Sequence, residues 1–202
     1  PMKQVISGAF DTLSHAMETY LGASDADNVS DDVALAIQRN TVTNMRRLLK
    51  NIDDMQARGN LMWDSAMAEN GILKAGRRTD FQAHQIEHQL GAHTDCNHGQ
   101  GLAVIHPAYY RHILPYGLKK FVRFAENVWG VDPKGKNDQE IAEEGLASME
   151  SWMQEMGLAM NLTQLGADAS MIEGMAKATL ILKGGYKVLD RNEIVEILKE
   201  SL

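Results

Sequence analysis

The feature that most constrains the fold is a recurring spacing of apolar residues by three and four, which places one buried stripe on a helix. It is clearest at the start, where Ile6, Phe10, Leu13, Met17 and Tyr20 fall on one side of a single helix. Val33, Ile37, Met45, Leu48 and Ile52 predict a second, with cap candidates from Asn28 to Asp32. A third is expected through Leu61, Met62, Ala66 and Leu73, stopping near Gly76. Thr79 and Asp80 can cap a fourth that carries histidines and stops at Leu90-Gly91. Pro107 is expected to open or bend a helix through Tyr110 and Ile113.

Asn137 and Asp138 can cap a helix holding Ile141, Met149, Trp152 and Met156, which ends at Gly157. Asp190 to Glu193 has the layout of a capping box before Ile194, Ile197 and Leu198. Only Leu102–Ile105, Leu180–Leu182 and Tyr186–Leu189 could be short strands, and no hairpin chemistry bounds them. The expected fold class is therefore all-α, a multi-helix bundle-like domain over residues 1–202. Pro133 to Asn137 is the best linker candidate but too short to force a domain boundary.

With 202 residues, 44% of them apolar and 23% charged, the chain can bury a real core. A net charge of −7 argues against nucleic-acid partners and against an anionic membrane surface. No apolar run approaches the roughly 20 residues of a membrane span. The start, Pro-Met-Lys-Gln, lacks a signal-peptide layout. A single cysteine, Cys96, cannot form an internal disulfide, so a cytoplasmic location is expected. The twelve methionines are read as adaptable core filler.

Chemistry concentrates in the histidines. His84, His88, His93, His98 and His106 fall within 23 residues. His84 and His88, four apart, would share a helical face and could hold one ion. The metalloprotease pattern fails, because glutamate does not follow the first histidine directly. Asp11 and His15 are also four apart, and they lie nearly opposite their own helix's apolar stripe, with Ser7, Gly8 and Glu18. A solvated face would look the same, but Gly8 costs helix stability and suits close approach of another group. Asp11, His15 and two of the clustered histidines would form a mixed nitrogen and oxygen site. Such a set suits iron(II) or zinc, not calcium or magnesium. Cys96 is read as incidental to it.

Two segments carry a family resemblance. Gly8-Ala-Phe-Asp11-Thr-Leu-Ser-His15 with Glu18-Thr-Tyr20 resembles the G-x-x-D-x-x-x-H-x-x-E-x-Y segment of iron-containing (group III) alcohol dehydrogenases, the NAD(P)H-dependent butanol dehydrogenases in particular. His84-Gln-Ile-Glu-His88-Gln-Leu-Gly91 and Asn97-His98-Gly99, on to Pro107, resemble the family's H-x-x-x-H-x-L-G segment and H-G loop. The resemblance implies the helical C-terminal metal-binding domain of the dehydroquinate synthase-like fold. It implies Asp11, His15, His84 and His98 as ligands of Fe(II), with zinc possible, leaving His88 beside the site for proton relay, substrate contact or packing. It implies NAD(P)H and a small alcohol or aldehyde as partners of the complete enzyme, and a homodimer is possible.

A complete member carries a dinucleotide-binding domain that these residues do not include, so the chain is expected to be the metal-holding half and inactive alone. Gly99-Gln-Gly101 lacks the third glycine of the fingerprint. Trp63, Phe81 and Trp129 are candidates for the dry wall of the site. An all-helical metal-dependent phosphohydrolase is the rival enzyme, but no adjacent His-Asp pair is present. A non-catalytic helical interaction module is the other alternative.

Overall fold

The computed structural model describes residues 1–23 and 28–202. Nine α-helices are found among them, and no strand: α1 (Met2–Tyr20), α2 (Val29–Lys50), α3 (Met55–Glu69), α4 (Gln82–Thr94), α5 (His98–Ile113), α6 (Leu118–Phe124), α7 (Asp138–Met156), α8 (Ile172–Ala178) and α9 (Arg191–Glu200). A π-helical turn, Ala125–Trp129, extends α6. The all-α expectation holds.

Helix α1 is the spine, packed on α2, α3 and α5. Its stripe behaves as the spacing predicts: Phe10, Leu13, Met17 and Tyr20 are fully buried. Trp152 of α7 stacks on Phe10 at 6.5 Å, and Trp129 packs on Trp152 at 6.3 Å. One cluster of buried apolar side chains runs from Ala9 to Leu198. Truncating an aromatic at its centre typically costs about 3–5 kcal/mol.

The predicted caps at both ends of the sequence order are present. Asn137 and Glu140 form a capping box on α7, which ends at Gly157 in the left-handed conformation that glycine tolerates. Asp190 and Glu193 form another on α9. Asn28 caps α2.

Other expectations are corrected. On α3, Met62 and Ala66 face solvent, and the buried positions are Ala57, Asp64 and Ala68. The helix stops at Glu69, with Leu73 buried in a separate 3-10 turn before Gly76. Helix α4 runs through Leu90-Gly91 to Thr94, because nothing forces Gly91 out of helical geometry. Its N-cap residue is Phe81, which offers no side-chain cap, and Thr79 and Asp80 precede it. The Ala83 N–H instead donates to Glu18 Oε1 of α1 at 2.7 Å. Leu102–Ile105 is helical, and Pro107 lies well inside α5 rather than opening it.

Leu180–Leu182 has the exposed backbone groups of a strand but pairs with a side chain. The buried Gln82 amide donates to Leu180 O at 3.1 Å and accepts from Leu182 N–H at 2.8 Å. Tyr186–Leu189 is likewise outside any strand; nearby, Gly185 forms only an isolated bridge with Gly22.

A buried ionic hub fixes the end of α1 relative to α4. Asp31 of α2 pairs with Arg77 and Lys120, and all three side chains are out of solvent. Arg77 donates to Tyr20 O at 2.9 Å, and Tyr20 Oη donates to Lys120 O at 3.0 Å. Helices α1, α2 and α6 and the segment entering α4 are thereby tied together.

Candidate metal centre

Asp11 and His15, one turn apart on α1, face His84 of α4 and His98 at the start of α5. Asp11 Oδ1 lies 3.4 Å from His15 Nε2, 3.8 Å from His84 Nε2 and 3.7 Å from His98 Nε2. His15 Nε2 and His84 Nε2 are 3.2 Å apart. A tetrahedral ion with bonds of about 2.1 Å requires ligand atoms about 3.4 Å from one another, which these four spacings bracket, and the ligand atoms of Asp11, His84 and His98 all lie within 4.8 Å of one another.

The donor set passes a second test. Asp11 Oδ1 is buried, and the polar atoms facing it are the three imidazole nitrogens at 3.4–3.8 Å, too long for good hydrogen bonds. Such an atom costs free energy unless something positive reaches it. A cation among the three Nε2 atoms would do so.

The other nitrogen of each imidazole meets a carboxylate. His84 Nδ1 contacts Glu18, His98 Nδ1 contacts Glu87, and His15 Nδ1 contacts Glu69. In metal sites this arrangement places the proton on Nδ1, fixes the ring and leaves the Nε2 lone pair for the ion. Glu18, Glu69 and Glu87 were not anticipated as ring partners. Glu18 could have been read from its place on the face of Asp11 and His15, and Glu87 from its place on the histidine-bearing helix. Glu69 gives no sequence signal, because α3 reaches His15 only through the fold.

Close packing holds α5 in place. A Cβ at Gly99 would fall 2.1 Å from Ser7 O, so the start of α5 touches the α1 backbone. A Cβ at Gly101 would fall 2.5 Å from Glu87 Oε1, so this glycine makes room for the partner of His98. The close approach expected at Gly8 is absent, since nothing lies within 4 Å of a Cβ there.

Electrostatics follow from the crowding. Burial disfavours the Asp11 charge, but the pull of His15, His84 and His98 holds its pKa well below the ordinary carboxylate range. Burial also opposes charge on His84, yet Asp11 and Glu18 outweigh it and push the pKa up to about 9. Glu87 raises that of His98. With its pKa pushed up to about 9, the His84 ring holds a proton at neutral pH that metal uptake would displace.

Side-chain exposure is 6% for His84, 19% for His15, 35% for Asp11 and 41% for His98, so the centre is open on the Asp11–His98 side. His88 is exposed, its ring stacked on His98 at 5.8 Å and 6.3 Å from that of His84; a ligand atom of His88 lies within 4.8 Å of one from Glu87 and one from His98, whereas His84 groups with Asp11 and His98. Phe81 packs on both His15 and His84. Trp129 instead packs on Phe124 and Trp152, and Trp63 is exposed on α3. Cys96, half-buried, precedes Asn97, which caps α5 and binds Ser7.

Residues 5–202 match the family model described as Fe-containing alcohol dehydrogenase family, C-terminal. The chain is 34% identical to NADH-dependent butanol dehydrogenase A of Clostridium acetobutylicum, over all of this chain and 53% of that protein. It is 28% identical to an NADPH-dependent aldehyde reductase of Escherichia coli, over 88% of this chain and 45% of the other. The crystal structure of NADH-dependent butanol dehydrogenase A from Thermotoga maritima superposes on the whole chain and 52% of its own, with a TM-score of 0.91 and 30% identity. The chain thus spans about half the length of the relatives it matches. With the match running almost from end to end, the chain belongs to the Fe-containing alcohol dehydrogenase family, within its C-terminal region.

Proposed function

We propose that Asp11, His15, His84 and His98 hold one divalent ion, iron(II) with zinc also accommodated. We further propose that this centre serves an enzyme exchanging hydride between NAD(P)H and a small alcohol or aldehyde. The observation that carries the reading is the convergence of three Nε2 atoms on the buried Asp11 Oδ1, with a carboxylate against the other nitrogen of each ring.

When bound, the ion would supply Lewis-acid polarisation of the alcohol or aldehyde oxygen. The residues around it have separable roles. Asp11, ionised throughout the neutral range, provides the charged ligand. Glu18 and Glu87 keep protons on Nδ1 of His84 and His98 so that their inward nitrogens stay available, and Glu69 lies against Nδ1 of His15. The more exposed His98 side leaves room for substrate, and His88 stands there to contact it or to pass a proton.

The nicotinamide cofactor would carry the hydride. Among the described residues Gly99 and Gly101 are packing positions in α5, not a phosphate-binding turn. Cofactor binding is therefore proposed for a longer protein of the relatives' size, and these 202 residues alone should bind metal without turnover.

The direct test is metal content of the purified chain beside His84→Ala and His98→Ala. One ion per wild-type chain and loss in both variants is expected. Stoichiometric retention by either variant would remove that residue from the ligand set.

A further inference from the structure

Among the described residues two non-glycine residues have positive φ, Phe81 at 55° and Asp95 at 54°, one at each end of α4. Aspartate visits this left-handed region readily, whereas a bulky aromatic there is an outlier. Glycine or asparagine would occupy residue 81 with less strain. Strain of this kind persists where the side chain serves the site. The backbone is held, since Phe81 O accepts from Gln85 N–H at 3.3 Å as the helix begins.

The held ring lies against the candidate metal centre. Its centroid is 5.2 Å from that of His15 and 5.0 Å from that of His84. Lys74 Nζ stands 5.0 Å from the same ring. His88 flanks the other side, 6.3 Å from His84 and 5.8 Å from His98. A ligand entering beside the ion would therefore meet an apolar ring on the His15–His84 flank and an imidazole on the His84–His98 flank.

We propose that Phe81 is a specificity-determining residue, the apolar wall that limits the bulk of a ligand's substituent next to the ion. It selects slender, short-chain alcohols and aldehydes over branched or aromatic ones. The proposal rests on the metal-centre reading above. Its chemistry is steric and apolar: the ring packs on two ligand imidazoles, and its backbone is held at the start of α4.

Cobalt(II) provides a spectroscopic test on this chain that needs no turnover. The cobalt-loaded protein is titrated with imidazole and with 4-phenylimidazole, following the visible absorption. Wild type should bind 4-phenylimidazole at least tenfold more weakly than imidazole. Phe81→Ala, or Phe81→Asn, which suits the left-handed backbone, should shrink that ratio at least fivefold, both affinities being read on the cobalt-loaded fraction of each variant. Phe81→Tyr should keep the wild-type ratio. An unchanged ratio in the alanine and asparagine variants, or no discrimination in wild type, overturns the wall while leaving the metal centre standing. Failure of wild type to take up cobalt overturns the metal-centre reading itself, and the wall with it.

Discussion

The Glu87 carboxylate of α4 meets Nδ1 of His98 on α5, across the break between the two helices. Both residues depend on Gly101, where any side chain would fall on Glu87. The pair decides whether the most exposed of the candidate ligands points inward. Replacing Glu87 by Gln removes the charge that orients the ring, and replacing Gly101 by Ala displaces the carboxylate. Each should weaken metal binding by about 10–100-fold, the usual effect of losing a ligand's outer partner. Competition with a chromophoric chelator measures this directly. Wild-type affinity in both variants would mean that the carboxylate does not support the ring.

Bound metal should also stabilise the fold, because the four proposed ligands are assembled only in the native state. At a free-ion concentration of 100 times Kd the gain is about 2.7 kcal/mol. For a chain of this size that corresponds to a rise in Tm of roughly 5–10 °C. Thermal unfolding with and without added zinc, and after chelation, checks it. The His84→Ala variant should show no such rise.

Helix α1, the Asn137 cap and the Asp190–Glu193 capping box were legible because they rest on local rules: apolar spacing for Phe10 to Tyr20, and side chain to backbone bonds for Asn137 and Asp190. Asp11 and His15 were legible in the same way, since one turn of helix brings them together. Periodicity could not say that the Met62 face of α3 would stay in solvent, because it reports that a stripe exists and not what covers it. Nor could it foresee that Leu180–Leu182 would pair with the Gln82 side chain. The choice of His98 over His88 depended on the family resemblance, and the contact of Glu69 with His15 depends on how α3 packs on α1.

The buried hub at Asp31 should matter far more than the ion pairs at the surface. Asp31→Asn leaves Arg77 and Lys120 out of water without the anion they share, and such a loss typically costs about 3–5 kcal/mol. Lys136 and Glu144, 2.5 Å apart in partly exposed positions, should contribute less than about 1 kcal/mol. Urea unfolding of Asp31→Asn and Lys136→Ala compares the two. Equal effects would show that burial of the hub carries no special weight.

His106 gives the fold an acid sensitivity separate from the candidate ligands. Its ring is fully buried, Nδ1–H donating to Leu102 O at 2.8 Å and Nε2 placed to accept from Ser14 Oγ–H at 3.0 Å. Burial pushes its pKa down to about 4, against 6.5 in the unfolded chain. Between those values the unfolded state takes up a proton that the native state refuses. Its contribution is complete above about pH 6.5 and falls away as the pH drops towards 4, by about 3 kcal/mol in all. Unfolding free energies at pH 7 and pH 4.5 should therefore differ by about 2 kcal/mol less in His106→Gln than in wild type, since glutamine does not titrate. Carboxylates contribute equally to both proteins and cancel in this difference. An identical pH dependence in the two would show that His106 is protonated as easily in the folded chain as in the unfolded one.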